Sequence, residues 1–167
     1  MEYAFNNMKE NMAKAYGSNL PISTKKSVEI ANNIRGWNVQ KAKTYLENVI
    51  NKKQAVKMNR YNNDTAHKKE IAAGKYPVNA AKDILMVLKS AESNALNKGM
   101  NTKDLVITHI SAHIASRPWH YGRKRRSKMK RSHIQIVVEE VKKPKPKKLE
   151  EKKIKEEKDN NKKESKK

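Results

Sequence analysis

Between residues 114 and 132 the chain carries Arg117, Arg123, Lys124, Arg125, Arg126, Lys128, Lys130 and Arg131 without a single acidic side chain. Such a block cannot enter a core, because an unpaired buried charge costs far more than packing returns. It cannot condense on itself either, because like charges repel. The runs on either side, Leu-Val-Ile-Thr-His-Ile-Ser-Ala-His over 105–113 and His-Ile-Gln-Ile-Val-Val over 133–138, are rich in β-branched residues. In the second, Ile134, Ile136 and Val138 share one face, so both runs predict antiparallel strands. If the strands continue into the basic block, each arm of the hairpin has about nine residues and reaches roughly 30 Å at ~3.3 Å per residue. A two-stranded ribbon is marginal in water, so this one is expected to order only against a polyanion.

The rest of the chain points to the same partner. Lys and Arg number 39 against 17 Asp and Glu, a formal charge of +22 on 167 residues, and a field of that size favours phosphate through counterion release. An anionic membrane is the electrostatic rival, but no apolar run approaches the ~20 residues needed to span one, and no strongly amphipathic Trp/Phe/Leu helix is visible. The absence of cysteine excludes disulfides, zinc ribbons and thiol catalysis. Residues 1–10 lack the basic start and apolar centre of a secretory signal, so a cytoplasmic location is expected.

Periodicity organises the body. A strand is expected over residues 16–23, followed by a helix from about Thr24 with Ser23 as N-cap, Val28, Ala31 and Ile34 on its packed face, and Arg35-Gly36 closing it. Asn38 can cap a second helix whose stripe is Val39, Ala42, Leu46, Val49 and Ile50, opposite Lys41, Lys43 and Lys52. Periodicity fails over residues 57–76, which read as a basic loop holding Arg60, Tyr61, His67, Lys68 and Lys69. Pro77 opens a long third helix with Ala81, Ile84, Leu85, Leu88, Ala91 and Ala95 inward, ended by Lys98-Gly99. The expectation is an α+β fold, three helices packed on a small antiparallel sheet with a long protruding basic β-hairpin. Residues 1–12 form an N-terminal extension, 13–141 the globular domain with its hairpin at 105–141, and 142–167 a disordered Lys/Glu-rich tail.

The basic block also holds Trp119, His120 and Tyr121, rings that can stack on unpaired bases while guanidinium groups bind phosphate in pairs of hydrogen bonds. Charge blocks are more often interaction segments than idle solvated loops, so binding is the preferred reading. The lysines Lys25, Lys26, Lys41, Lys43, Lys52 and Lys53 divide evenly between ordinary solvated charge and phosphate contact. Trp37 stands open between a core plug and an RNA platform, with packing favoured. His109 and His113 would make a metal pair on a helix, but on a strand they stand ~13 Å apart, beyond one ion, so no metal site is assigned. No nucleophile elbow or phosphate-cradling glycine loop is present, so neither an enzyme nor a cofactor is expected.

These residues resemble a known family. Gly17-Ser-Asn-Leu-Pro-Ile-Ser23, Ile34-Arg-Gly36 with Lys41-Ala-Lys43 and Tyr45-Leu46, Gly74-Lys-Tyr-Pro-Val78 with Ala80-Ala-Lys82, and Ala91-Glu-Ser-Asn-Ala95 with Lys98-Gly99 are similar, in order and spacing, to signatures of the large-subunit ribosomal protein L twenty-two family in its archaeal and eukaryotic form. His109-Ile-Ser-Ala-His113 resembles the strand entering that family's long hairpin, Gly122-Arg123 its tip, and His133-Ile-Gln-Ile-Val-Val-Glu-Glu140 the returning strand. The resemblance spans about residues 13–140. It implies a body seated on large-subunit rRNA beside neighbouring ribosomal proteins, and a hairpin lining the nascent-chain exit tunnel. Tyr121, Gly122, Arg123, Lys124 and Arg125 would then form the tip near the growing polypeptide, Arg35 would join the rRNA-binding set, and no homo-oligomer is expected. The segment 114–121 and the loop after Tyr61 are shorter than the family pattern. Two other readings remain, a free nucleic-acid-binding or chromatin-type protein and, from another class, an RNA-processing enzyme.

Overall fold

The computed structural model describes residues 3–141; the expected tail at 142–167 lies outside them. In chain order the elements are β1 (Met12–Leu20), α1 (Thr24–Ile34), α2 (Val39–Ile50), β2 (Val56–Lys57), β3 (His67–Lys68), β4 (Ala72–Lys75), α3 (Val78–Asn97), β5 (Leu105–Ile114) and β6 (Ser132–Glu140). The fold is α+β, with an antiparallel sheet in the order β1-β6-β5.

Strand β6 is central and buried on both faces. Ile134, Ile136 and Val138 join the helices in the main core, as the alternation predicts, while Gln135 and Val137 are also covered. The cover comes from the N-terminal segment. The Ala4 amide donates to Gln135 Oε1 at 2.9 Å, Phe5 lies 5.5 Å from the His109 ring, and Tyr3 meets Tyr16 edge-on at 6.1 Å. A bulge between Ile107 and His109 changes which residues of β5 face inward, so that Leu105 and Ile107 are followed in the core by Ile110.

Both outer edges of the sheet are partly covered, one by side chains of α3 and the other by the α1–α2 turn, which limits the usual hazard of unpaired strand groups. Along β1, Asn94 and Lys98 of α3 donate to the carbonyls of Lys14 and Met12 at 2.8 and 2.7 Å. Along β5, the α1–α2 turn exchanges backbone bonds with Ile107, each 2.9 Å, and Arg35 donates to the Ile110 carbonyl at 3.1 Å.

Several sequence expectations need correcting. The first strand starts at Met12, earlier than the turn-like residues suggested. On α1 the buried positions are Ser27, Glu29, Ile30, Ala31 and Ile34; Val28 is only half-buried. Ser23 occupies the N-cap position without a side-chain cap bond, whereas Asn38 caps α2 through its side chain and the Gln40 amide. The stretch read as a basic loop at 57–76, together with Val56 before it, forms a second three-stranded sheet, β2-β4-β3. Its strands of two to four residues are too short and too poor in β-branched residues to announce themselves.

The hairpin also differs from the expectation. Its ladder stops at Ile114 paired with Ser132, and beyond that the two chains meet only sparsely: Ala115 N–H to Arg131 O at 3.1 Å, Met129 N–H to Pro118 O at 2.9 Å, His120 N–H to Ser127 O at 3.0 Å, and a lone bridge of Trp119 with Lys128. Pro118 has no amide to donate, and like charges on both chains oppose close pairing.

Strand β1 meets α3 at Gly17, where a Cβ would lie 2.6 Å from Val87 Cγ2 and 2.8 Å from Leu20 Cδ1. Gly17→Ala is expected to destabilise the body by about 1–3 kcal/mol through this overpacking, measured as a lower urea midpoint with an unchanged m-value.

Candidate nucleic-acid interface

The arm leaves the body at a well-built junction. Ser132 is fully buried, and its hydroxyl donates to the Ile22 carbonyl at 3.0 Å, which leaves its oxygen to accept from Thr24 Oγ1 at 2.7 Å. Ser132 also pairs with Leu20 of β1 and Ile114 of β5. Next to it, Arg131 donates to the Asn19 carbonyl at 3.2 Å, and the Asn19 amide donates to His133 Nδ1 at 3.1 Å. The start of α1 and the root of the arm are therefore one unit.

Above this root almost everything is exposed. Arg117, Trp119, Tyr121, Arg123, Lys124, Arg125, Arg126, Lys128 and Lys130 lie on the surface, with His120 and Arg131 half-buried. The expected tip folds into two consecutive turns: Arg125 N–H donates to Gly122 O at 3.2 Å and Ser127 N–H to Lys124 O at 3.0 Å. Gly122 has φ +62, which glycine adopts at little cost.

The junction brings further expected residues together. One cleft is lined by Ser23, Thr24, Lys25, Ile114, Arg117, Lys130 and Arg131. A second joins Lys26, Lys130 and Tyr76 to the first turn of α3. Lys25 lies 5.1 Å over the Tyr61 ring, and Lys68 lies 5.5 Å over Tyr76, so the second sheet continues the basic surface, with Arg60, His67 and Lys69 exposed on it. The α2 and linker cations stand apart. Lys43 pairs with Glu92, Lys41 covers Trp37 at 4.5 Å, Arg35 is committed to the edge of β5, and Lys52 and Lys53 lie exposed beyond the end of α2. Trp37 packs edge-on to Tyr45 at 5.3 Å, in keeping with the packing reading.

Charge on this surface is nearly uncompensated. Among the described residues the ion pairs are Lys9–Glu139 and Lys43–Glu92, neither on the arm. The same residues hold no group of three or more His, Cys, Asp or Glu side chains suited to a metal, and no helix long and apolar enough to cross a membrane.

Sequence reasoning missed Glu29. It is fully buried, and its two carboxylate oxygens accept the Asn59 and Arg60 amides, each at 3.0 Å. This carboxylate fixes the backbone that presents Arg60 and Tyr61. A lone acid among the lysines of a helix gives no sequence signal of that role.

A sequence profile of the ribosomal protein L22p/L17e family matches residues 15–139, from within β1 through the arm and into β6. The chain belongs to this family. Among curated relatives, the large ribosomal subunit protein uL22 of Nanoarchaeum equitans is 45% identical over 141 residues, covering 80% of this chain and 81% of that protein. That of Ignicoccus hospitalis is 39% identical over 143 residues, covering 79% and 90%. That of Methanosphaera stadtmanae is 40% identical over 139 residues, covering 78% and 90%. In this L22p/L17e chain the matched span contains the junction, the arm and both basic clefts.

Two outcomes follow from the geometry. Removing the Glu29 carboxylate leaves two amides without acceptors, so Glu29→Ala should cost about 2–4 kcal/mol and speed limited proteolysis within residues 57–75 ahead of the rest of the body. For His109, burial first, then the Arg35 guanidinium and His113, hold the imidazole below its ordinary 6.5, and its Nε2 is buried without a partner among the described residues. The unfolded chain therefore takes up this proton at a higher pH than the folded one. Its stabilising contribution is complete above 6.5 and declines as pH falls below that value. Thermal melts between about pH 7.5 and 5 should show a steeper loss for the natural chain than for His109→Gln.

Proposed function

We propose that this chain is a structural constituent of the large ribosomal subunit, that it binds large-subunit rRNA through the arm and the adjoining α1 and second-sheet surface, and that its arm lines the nascent-chain exit tunnel. The observation that carries the reading is the acid-free, exposed arm rooted on a buried serine, in a chain that belongs to the L22p/L17e family. Its relatives bear the name large ribosomal subunit protein uL22.

In this reading, Arg117, Arg123, Lys124, Arg125, Arg126, Lys128, Lys130 and Arg131 neutralise packed phosphates, and Lys25, Lys26, Arg60, Tyr61, His67, Lys68 and Lys69 extend the contact over the body. The role is assembly rather than turnover: rRNA supplies the counter-charge that the chain lacks. Tyr121, Gly122, Arg123, Lys124 and Arg125 then stand closest to the nascent polypeptide. Neighbouring large-subunit proteins are the other partners, and the chain acts as a single copy in the cytoplasmic subunit.

The test is sedimentation of native lysate through a high-salt sucrose gradient, comparing the natural chain with a variant carrying Arg123→Gln, Arg125→Gln and Arg126→Gln. The natural chain should be retained in large subunits near stoichiometry. The variant should incorporate several-fold less while the isolated proteins melt alike, because these side chains lie outside the core. Release of the natural chain to the top of the gradient would favour a free nucleic-acid binder and overturn the proposal.

A further inference from the structure

Trp119 is 59% exposed, which is unusual for the largest apolar side chain at a position whose backbone is held. Met129 N–H donates to Pro118 O at 2.9 Å and His120 N–H to Ser127 O at 3.0 Å on either side of it, and Trp119 itself bridges to Lys128. That bridge sets the Lys128 ammonium 4.7 Å from the ring centroid, within cation–π range. One face of the indole is thus backed by a cation, and no aromatic ring among the described residues stacks on it. The chain's other tryptophan, Trp37, instead has its ring engaged by both Tyr45 and Lys41. Two residues on, Tyr121 is 88% exposed.

We infer that Trp119, backed on one face by the Lys128 ammonium, is a one-sided stacking platform for a single unpaired RNA base taken on the opposite face. Duplex RNA buries its bases in the stack and cannot offer one to the ring. Unpaired bases are what aromatic platforms take, tolerantly of sequence, because each has a π-face. The inference deepens the RNA-binding reading above and rests on it. It assigns the arm a means of discriminating bulged from continuous helices that its charges alone lack, since phosphate contacts carry no such information.

The experiment uses the full chain with Trp37→Phe, so that Trp119 is the sole tryptophan, titrated with a two-stranded RNA duplex carrying one bulged adenine and with the same duplex fully paired. The platform predicts strong quenching and tighter binding with the bulged duplex. Trp119→Ala should lose about tenfold in affinity for it, the scale of one base stacked on an aromatic ring, while its affinity for the paired duplex and its thermal melt stay the same. Binding of both duplexes without quenching, or equal loss for both in Trp119→Ala, overturns the platform and leaves the electrostatic reading intact. Failure to bind either duplex at low salt overturns both.

Discussion

With 39 basic residues facing 17 acidic ones and ion pairs at Lys9–Glu139 and Lys43–Glu92 among the described residues, this molecule must fold around charge that it cannot neutralise internally. Its solution is segregation. The core assembled from α1, α2, α3 and the β1-β6-β5 sheet is apolar apart from hydrogen-bonded groups such as Ser132 and Glu29, and the densest charge is moved to the segment between β5 and β6, where almost no side chain is buried. On the proposed reading, separation of this kind lets stability and RNA affinity reside in different residues, because burial stabilises the body while counterion release drives the binding.

Segregation works only if the boundary is firm. Ser132 supplies that boundary with hydrogen bonds to Ile22 and Thr24 and strand pairing to both neighbours. From there outward the cross-chain bonds thin, and the chain returns through turns at Gly122 and Lys124. Among the basic residues that the body adds, Lys25 and Lys26 on α1 lie on the element that the same serine ties to the arm.

What the sequence disclosed follows the length of each signal. The 20-residue α3, the capped α2 and the β5 and β6 runs announce themselves through periodicity and β-branching, and the family signatures confirm their order. The second sheet was invisible because, Val56 apart, its rungs are Ala, Gly, His and Lys, and its backbone takes positive φ at Tyr61, Glu70 and Ala72, none of them glycine. The arm's exposure was legible from charge alone. Its irregular pairing was not, since it depends on Pro118 and on repulsion between two chains whose register no local pattern sets. Glu29 is the clearest omission: its partners lie 30 and 31 residues away, a tertiary fact with no local trace.

The account stands or falls on which surface meets RNA. Ultraviolet crosslinking of purified large subunits, with the crosslinked peptides of this chain mapped by mass spectrometry, addresses that directly. Crosslinks concentrated within residues 117–131 and at Lys25, Lys26, Arg60 and Tyr61 are the result predicted. Crosslinks confined to the outward face of α3 around Lys82, Met86 and Lys89, with the arm untouched, would contradict it.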